Sequence, residues 1–285
     1  MKQLLILSGK GGTGKTTVAG AFIYLSKAKA YADCDVDAPN LHLISHPSCP
    51  PQRADYFGMP KAWIDSNKCI GCGTCLSHCR FDAIEAGTPF RVKPFACEGC
   101  GVCVAVCPAS AVSMEPAVAG ELSLYRDDTR VFSTAKLAMG SGTSGKLVTE
   151  VKKRMISAAE NAELSVVDGS PGIGCPVIAS ISGVDMVLIV AEPSLSGISD
   201  MARIVKTAET FRTKTVVCVN KADVNPDKTE EIRAFCRAKQ LPFAGAIPFD
   251  AEAVKAVNSG KSIAELDIPS GRAVRNVYAE VMTLL

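Results

Sequence analysis

Short apolar runs alternate along this chain with longer stretches in which apolar residues recur every three or four positions. Gln3 to Ser8 (QLLILS) is the first such run and ends at a glycine-rich turn. Lys15 to Ser26 then predicts a helix, and a second strand closes at Asp33 to Asp35. Further along, Gly145 to Ala162 predicts a helix, and Leu164 to Asp168 (LSVVD) and Met186 to Ala191 (MVLIVA) predict buried strands. Met201, Ile204, Val205, Ala208 and Phe211 recur at helical spacing within Ile198 to Arg212. Thr215 to Asn220 (TVVCVN) is a strand and Thr229 to Lys239 a helix. Strands alternating with helices imply a mostly parallel α/β sheet covered on both faces. Ligands of such sheets sit beyond the carboxyl ends of the strands, and each polar motif below follows a predicted strand.

One segment breaks this rhythm. Residues 62–115 carry eight cysteines, frequent glycine and only short apolar steps, and Pro47, Pro50, Pro51 and Pro60 mark an irregular approach to them. We read one larger α/β domain in two pieces, 1–61 and 116–285, interrupted by a small inserted α+β module at 62–115. Composition narrows the classes. Lys and Arg exceed Asp and Glu by 31 − 29 = 2, without the basic excess of a nucleic-acid surface. No apolar stretch approaches the roughly 18 residues of a membrane span. Met1 to Gly9 is too short for a signal peptide and reads as strand. The expectation is a cytoplasmic protein that binds neither nucleic acid nor membrane. In a reducing compartment, thirteen clustered cysteines point to metal ligation rather than disulfides.

The insert holds two copies of one pattern, Cys69-x2-Cys72-x2-Cys75-x3-Cys79 and Cys97-x2-Cys100-x2-Cys103-x3-Cys107-Pro108, offset by 28 residues. This is the bacterial ferredoxin spacing for two [4Fe–4S] clusters, in which the fourth cysteine of each run ligates the other cluster. Cluster one then takes Cys69, Cys72, Cys75 and Cys107. Cluster two takes Cys97, Cys100, Cys103 and Cys79. Of the other cysteines, Cys34 and Cys218 fall in strands as core residues, and Cys175 is expected to be a packed thiol.

Gly9-Lys10-Gly11-Gly12-Thr13-Gly14-Lys15-Thr16, followed by Thr17, matches G-x-x-x-x-G-K-[ST] between a strand and a helix. Its backbone N–H groups and the helix N-terminus suit phosphate. Lys15 reaches the β- and γ-phosphates, and the Thr16 hydroxyl binds Mg²⁺. Phosphoryl transfer also needs a carboxylate on the metal or the attacking water. Asp35 is the first choice among Asp33, Asp35 and Asp37, and Asp168 ends a strand before a glycine-rich loop. Asn220-Lys221-Ala222-Asp223 has the form of a base-reading motif, with Pro248 beside it; these residues alone do not separate ATP from GTP.

The early lysine, Lys10, gives the loop the K-G-G-x-G-K-T-T form. It resembles the deviant Walker A motif of the MinD/Mrp superfamily, which includes the nitrogenase iron protein. The resemblance implies a SIMIBI-type P-loop ATPase and ATP as the nucleotide. It implies that Lys10 reaches across an ATP-sandwich homodimer, or a heterodimer with a paralogue, into the partner's site. It also implies Asp35 in switch I on the water and Mg²⁺, Asp168 in switch II on the Mg²⁺ shell, and Asn220 and Pro248 on adenine. With the insert, the expected function is slow, dimer-dependent ATP hydrolysis coupled to electron transfer or to binding a redox or iron–sulfur protein. An Mrp-like cluster carrier is the first alternative, though no C-x-x-C pair lies in the C-terminal half. A MinD/ParA-like positioning ATPase with redox-sensing clusters is the second. The C-terminal segment from Arg272 lacks a basic face and is read as a packed helix rather than a membrane anchor.

Overall fold

The structure is a computed structural model that describes residues 1–93 and 95–285, so one position of the expected insert, Pro94, lies outside the described residues. In chain order the first elements are β1 (Lys2–Leu7), α1 (Lys15–Ser26), β2 (Ala30–Asp33), α2 (His42–Ser45) and β3 (Gln52–Phe57). The cysteine-rich segment follows with β4 (Lys61–Ile64), α3 (Thr74–Ser77), β5 (Ile84–Glu85), β6 (Arg91–Val92), α4 (Val102–Ala105) and β7 (Val112–Glu115). Then come β8 (Val118–Arg126), β9 (Val131–Leu137), α5 (Ser144–Ala158), β10 (Leu164–Asp168), α6 (Cys175–Ile181) and β11 (Met186–Ala191). The chain ends with α7 (Leu195–Thr210), β12 (Lys214–Asn220), α8 (Pro226–Ala238), β13 (Phe243–Ile247), α9 (Ala251–Asn258) and α10 (Pro269–Leu284).

Nine strands form the main sheet in the order β13-β12-β11-β1-β10-β2-β9-β8-β3. The seven from β13 to β9 run parallel, so their carboxyl ends share one edge. β8 and β3 close the far side antiparallel. The period-2 pattern of β1 explains the layering. Leu5 and Leu7 face a core shared with Leu147, Val177, Met201 and Ile232, from α5 to α8. Leu4 and Ile6 face the opposite core, with Val18 and Phe22 of α1 and Val274, Val277 and Val281 of α10. All four β1 residues are 0% exposed, and each contributes about 1.5–3 kcal/mol by burial. α10 is the packed C-terminal helix expected from the sequence.

Two features differ from the sequence reading. The first is the antiparallel edge, which was not predicted. Its β8–β9 turn is set by the Asp127 carboxylate, which accepts from Thr129 N at 2.7 Å and Arg130 N at 2.8 Å, a local Asx turn rather than an apolar signal. The second is that α5 stops at Ala158 rather than Ala162, where Asn161 favours a turn.

The cysteine-rich segment grows out of the β3–β8 connection. β4 pairs antiparallel with β7, Lys61 opposite Glu115 and Ile64 opposite Val112, and forms its neck. Within it the 28-residue offset seen in the cysteines extends to the backbone. Gly71 and Gly73 have φ of 72° and 75°, and Gly99 and Gly101 have 71° and 76°. Asp65 N donates to Ala111 O, and Lys93 N to Ala83 O, both at 2.8 Å. Its packed apolar cluster is small, centred on buried Ala62, Ala83, Cys97 and Val112, with Cys75, Ile84 and Ala111 buried beside it. Among the described residues no helix is long and apolar enough to cross a membrane.

Candidate functional site

A cavity of about 710 Å³ opens at the carboxyl edge of the parallel strands, within the usual range for ligand sites. It is lined by residues 10–17 of the glycine-rich loop, by Asp35, Asp37 and Asn40 after β2, and by Ser170 after β10. Asn220, Lys221, Pro248 and Phe249 form its other wall. Parallel topology brings these segments together, because each follows a strand that ends on the same edge.

The loop is built for close approach. Gly14 has φ 88°, and a Cβ there would lie 2.2 Å from Asn220 Nδ2. Asn220 Nδ2 donates to Thr13 O at 2.7 Å, and Lys221 Nζ donates to Gly12 O at 2.8 Å. Thr13 Oγ1 is buried without a hydrogen-bond partner. Lys15 and Asp168 are both buried and form an ion pair. Thr16 Oγ1 donates to Asp168 Oδ2 at 2.7 Å. The three groups expected to handle phosphate and Mg²⁺ thus meet at one point at the base of the cavity.

The aspartates after β2 divide their roles. Asp33 is 0% exposed and accepts from Asp35 N at 3.0 Å and from Asn40 N and Leu41 N at 2.9 Å each. Burial, reinforced by the Asp168 carboxylate, pushes its pKa up to about 7. Asp33 does not line the cavity; it folds the 35–41 turn. Asp35 lines it, and burial raises its pKa as well, with the Asp168 charge adding to that and Lys15 opposing it. Asp37 is exposed on the rim.

At the base-reading motif, Asp223 Oδ1 accepts from Phe249 N at 2.6 Å and so holds the Pro248–Phe249 wall in place. Asp250 caps α9, accepting from Glu252 N at 3.0 Å, and ties it to Ser270 of α10.

Lys10 is held within its own chain. Its Nζ lies 2.6 Å from Glu192 Oε2 and donates to Ser194 Oγ at 3.4 Å and Ser196 Oγ at 3.2 Å. Glu192 also faces Lys221 at 3.7 Å, and the hydrogen bond from Lys10 holds its pKa below the ordinary value. Sequence reasoning missed Glu192. The available signal was its place one residue past a buried strand.

The first three cysteines of each motif line a small cavity together with the last cysteine of the other. One holds Cys69, Cys72, Cys75 and Cys107, walled by Ile64, Phe90 and Val112. The other holds Cys97, Cys100, Cys103 and Cys79, walled by Phe81, Ile84 and Met114. Backbone N–H groups point at three of the sulfurs: Ala62 N at Cys97 Sγ (3.4 Å), Ala83 N at Cys79 Sγ (3.3 Å) and Ala111 N at Cys107 Sγ (3.3 Å). Among the described residues no three His, Cys, Asp or Glu side chains are grouped to hold one metal ion. Cys34 and Cys218 are buried as expected. Cys175 is not the packed thiol expected: it is exposed, because it begins α6 at the strand edge instead of following the helix into the core.

Residues 4–263 match the model of the CobQ/CobB/MinD/ParA nucleotide-binding domain. The chain belongs to that family. An uncharacterized protein of Methanocaldococcus jannaschii is 28% identical over 98% of this chain and 96% of its own length. An uncharacterized ATP-binding protein of the same archaeon is 25% identical over 98% of this chain and 87% of its own. Among solved structures, the septum site-determining protein MinD of Pyrococcus horikoshii, complexed with Mg-ADP, superposes with a TM-score of 0.59 at 15% identity. That match covers 99% of this chain and 96% of that one, and at this identity it speaks for the fold. The family match spans the glycine-rich loop, Lys15, Thr16 and Asp168, which meet at the base of the cavity.

Proposed function

We propose that this chain hydrolyses ATP and carries two [4Fe–4S] clusters in its 62–115 insert, so that nucleotide state governs electron transfer or the docking of a redox partner. The observation that carries the reading is the crossed sharing of cysteines. Three thiols of each motif and the distant fourth of the other line one apolar cavity. A cubane takes one thiolate per iron, so its ligands need not converge on a single ion. Apolar walls and N–H groups aimed at sulfur also suit a charged iron–sulfur group. When bound, such clusters supply one-electron transfer.

In the nucleotide site, Lys15 is placed to bind the β- and γ-phosphates. Thr16 and Asp168 would hold Mg²⁺, and Asp35 orients the attacking water. Asn220, Pro248 and Phe249 bound the adenine side. Release of Lys10 from Glu192 frees an ammonium on the open edge, where a second copy or a paralogue can present its own nucleotide. Hydrolysis is therefore slow in the isolated chain.

The test is anaerobic purification, with iron and acid-labile sulfide counted at about eight each per chain. ATP hydrolysis is then followed with the clusters oxidised and dithionite-reduced. A rate that changes with redox state supports coupling. Iron-free protein with full, redox-independent hydrolysis overturns it. A second reading, a MinD/ParA-like positioning ATPase, is favoured by the overall fold; ATP-dependent retention on a membrane or scaffold, independent of cluster state, is its test.

A further inference from the structure

We infer that the two cysteine quartets have different jobs, and that the one formed by Cys79, Cys97, Cys100 and Cys103 is the site that responds to nucleotide. The inference rests on the iron–sulfur reading above. What points to it is the stretch from Gly140 to Gly145, a loop running into the first turn of α5, which touches both the second cysteine motif and the helix that follows Asp168.

At one end of this loop the insert presses closely. A Cβ on Gly140 would sit 3.4 Å from Phe95 Cβ, and one on Gly142 would sit 3.3 Å from Glu98 Oε2. A Cβ on Gly99, inside the motif, would come within 2.4 Å of Pro60 O. At the other end, a Cβ on Gly145 would lie 3.2 Å from Cys175 O, at the first residue of α6. Glycine at 99 and 145 lets these backbones approach, and Gly140 and Gly142 lie in contact distance of the insert.

α6 is tied in turn to the nucleotide centre. Asp168 meets Lys15 and Thr16, and the segment after it is pinned by Gly169 N to Ile6 O at 2.9 Å and Gly172 N to Ser8 O at 3.0 Å. α6 then begins at Cys175. Its far end is clamped to α5 by buried Lys152, whose Nζ donates to Ser180 O at 2.7 Å and Ser182 O at 2.6 Å. α5 and α6 therefore move together. A shift of the 168–174 segment is delivered through α5 to its N-terminal end, where Glu98 sits against the positive pole of the helix. Changing that separation changes the charge environment of the quartet containing Cys97 and Cys100.

Among the described residues, the glycines of the other quartet make no such contact with the rest of the chain. A Cβ on Gly71 would meet nothing within 4 Å, Gly73 has only Phe90 of the same insert at 3.8 Å, and Ile70 is 69% exposed.

The experiment uses reconstituted full-length protein in which two clusters have first been verified by iron content and EPR. If two clusters cannot be loaded, the iron–sulfur reading itself fails. With both present, potentials are titrated by EPR in saturating MgADP and in a non-hydrolysable MgATP analogue. One cluster is expected to change its reduced-to-oxidised ratio by about tenfold between the two nucleotides, about 59 mV for one electron, and the other by less than about twofold. Hydrogen–deuterium exchange on the same samples assigns the responder: peptides over 95–103 and 138–146 change, and peptides over 66–78 do not. Lys152→Met, or Glu98→Gln should the first not fold, is expected to keep nucleotide affinity within about twofold and to lose the shift. Equal response of both clusters, no response with both loaded, exchange changes confined to 66–78, or a full shift in the variant would each overturn the inference.

Discussion

At the scale of single residues, the site is governed by charges that meet out of water. Lys15 and Asp168 are buried against one another, and removing one partner of such a pair costs about 3–5 kcal/mol because the other charge is left alone. Lys15→Ala is therefore expected to lower nucleotide-free stability by about 3 kcal/mol in chemical denaturation, and to cut ATP hydrolysis by at least about 100-fold. Lys15→Met with Asp168→Leu should recover most of the stability and none of the activity. Stability that stays low in the double variant would mean that packing, not charge, dominates. Glu192 offers a pH test. Its pKa is depressed by Lys10, so its contribution is full above the unfolded value near 4.5 and is lost as pH falls through the lower folded one. The stability difference between the native chain and Glu192→Gln should be present at pH 7 and vanish on acidification below that range. The sequence already named Lys10, Lys15, Thr16, Asp35 and Asp168. It preferred Asp35 to Asp33 without a physical reason, which the folded turn supplies: the Asp33 carboxylate is consumed by three backbone N–H groups.

At the scale of elements, helix ends and the strand edge decide how the site is presented. Asn225 caps α8, accepting from Lys228 N at 3.1 Å, with Pro226 at the first helical position. Asn225→Ala should cost about 1 kcal/mol by denaturation while leaving nucleotide affinity unchanged. Ser194 does the same for α7 through Gly197 N at 3.1 Å, but it also receives Lys10. Ser194→Ala should then weaken both the cap and the hold on Lys10, and a stability loss identical to that at Asn225 with no change in Lys10-dependent hydrolysis would limit Ser194 to capping. The central strands and helices were legible because each buries a regular apolar face. β8 and β9 were not, although both lie inside the sheet: Ser133 and Thr134 break the apolar run of β9, and the turn between the two strands depends on one aspartate side chain.

At the scale of the whole molecule, two parts differ in what holds them together. The nine-stranded sheet is sandwiched between two extensive cores, whereas the packed apolar cluster of the insert is centred on Ala62, Ala83, Cys97 and Val112 alone among the described residues. On the proposed iron–sulfur reading, so small a core is stabilised by its clusters. Protein stripped of iron should show rapid hydrogen exchange over 61–115 and unchanged protection in β1, β10 and β11. Protection of the insert without metal would mean that it folds on its own contacts.

The chain's own pattern determined the parallel α/β sheet, the P-loop and the repeated cysteine spacing, since these rest on local periodicity and on fixed intervals between residues. Only the tertiary structure decided that Asp33 folds the turn while Asp35 and Asp37 line the cavity, and that Lys10 rests on Glu192. It also decided that Cys175 is exposed and that residues 140–145 join the insert to α6. These depend on contacts between segments far apart in sequence, brought to one edge by parallel strands, and no local pattern carries that information.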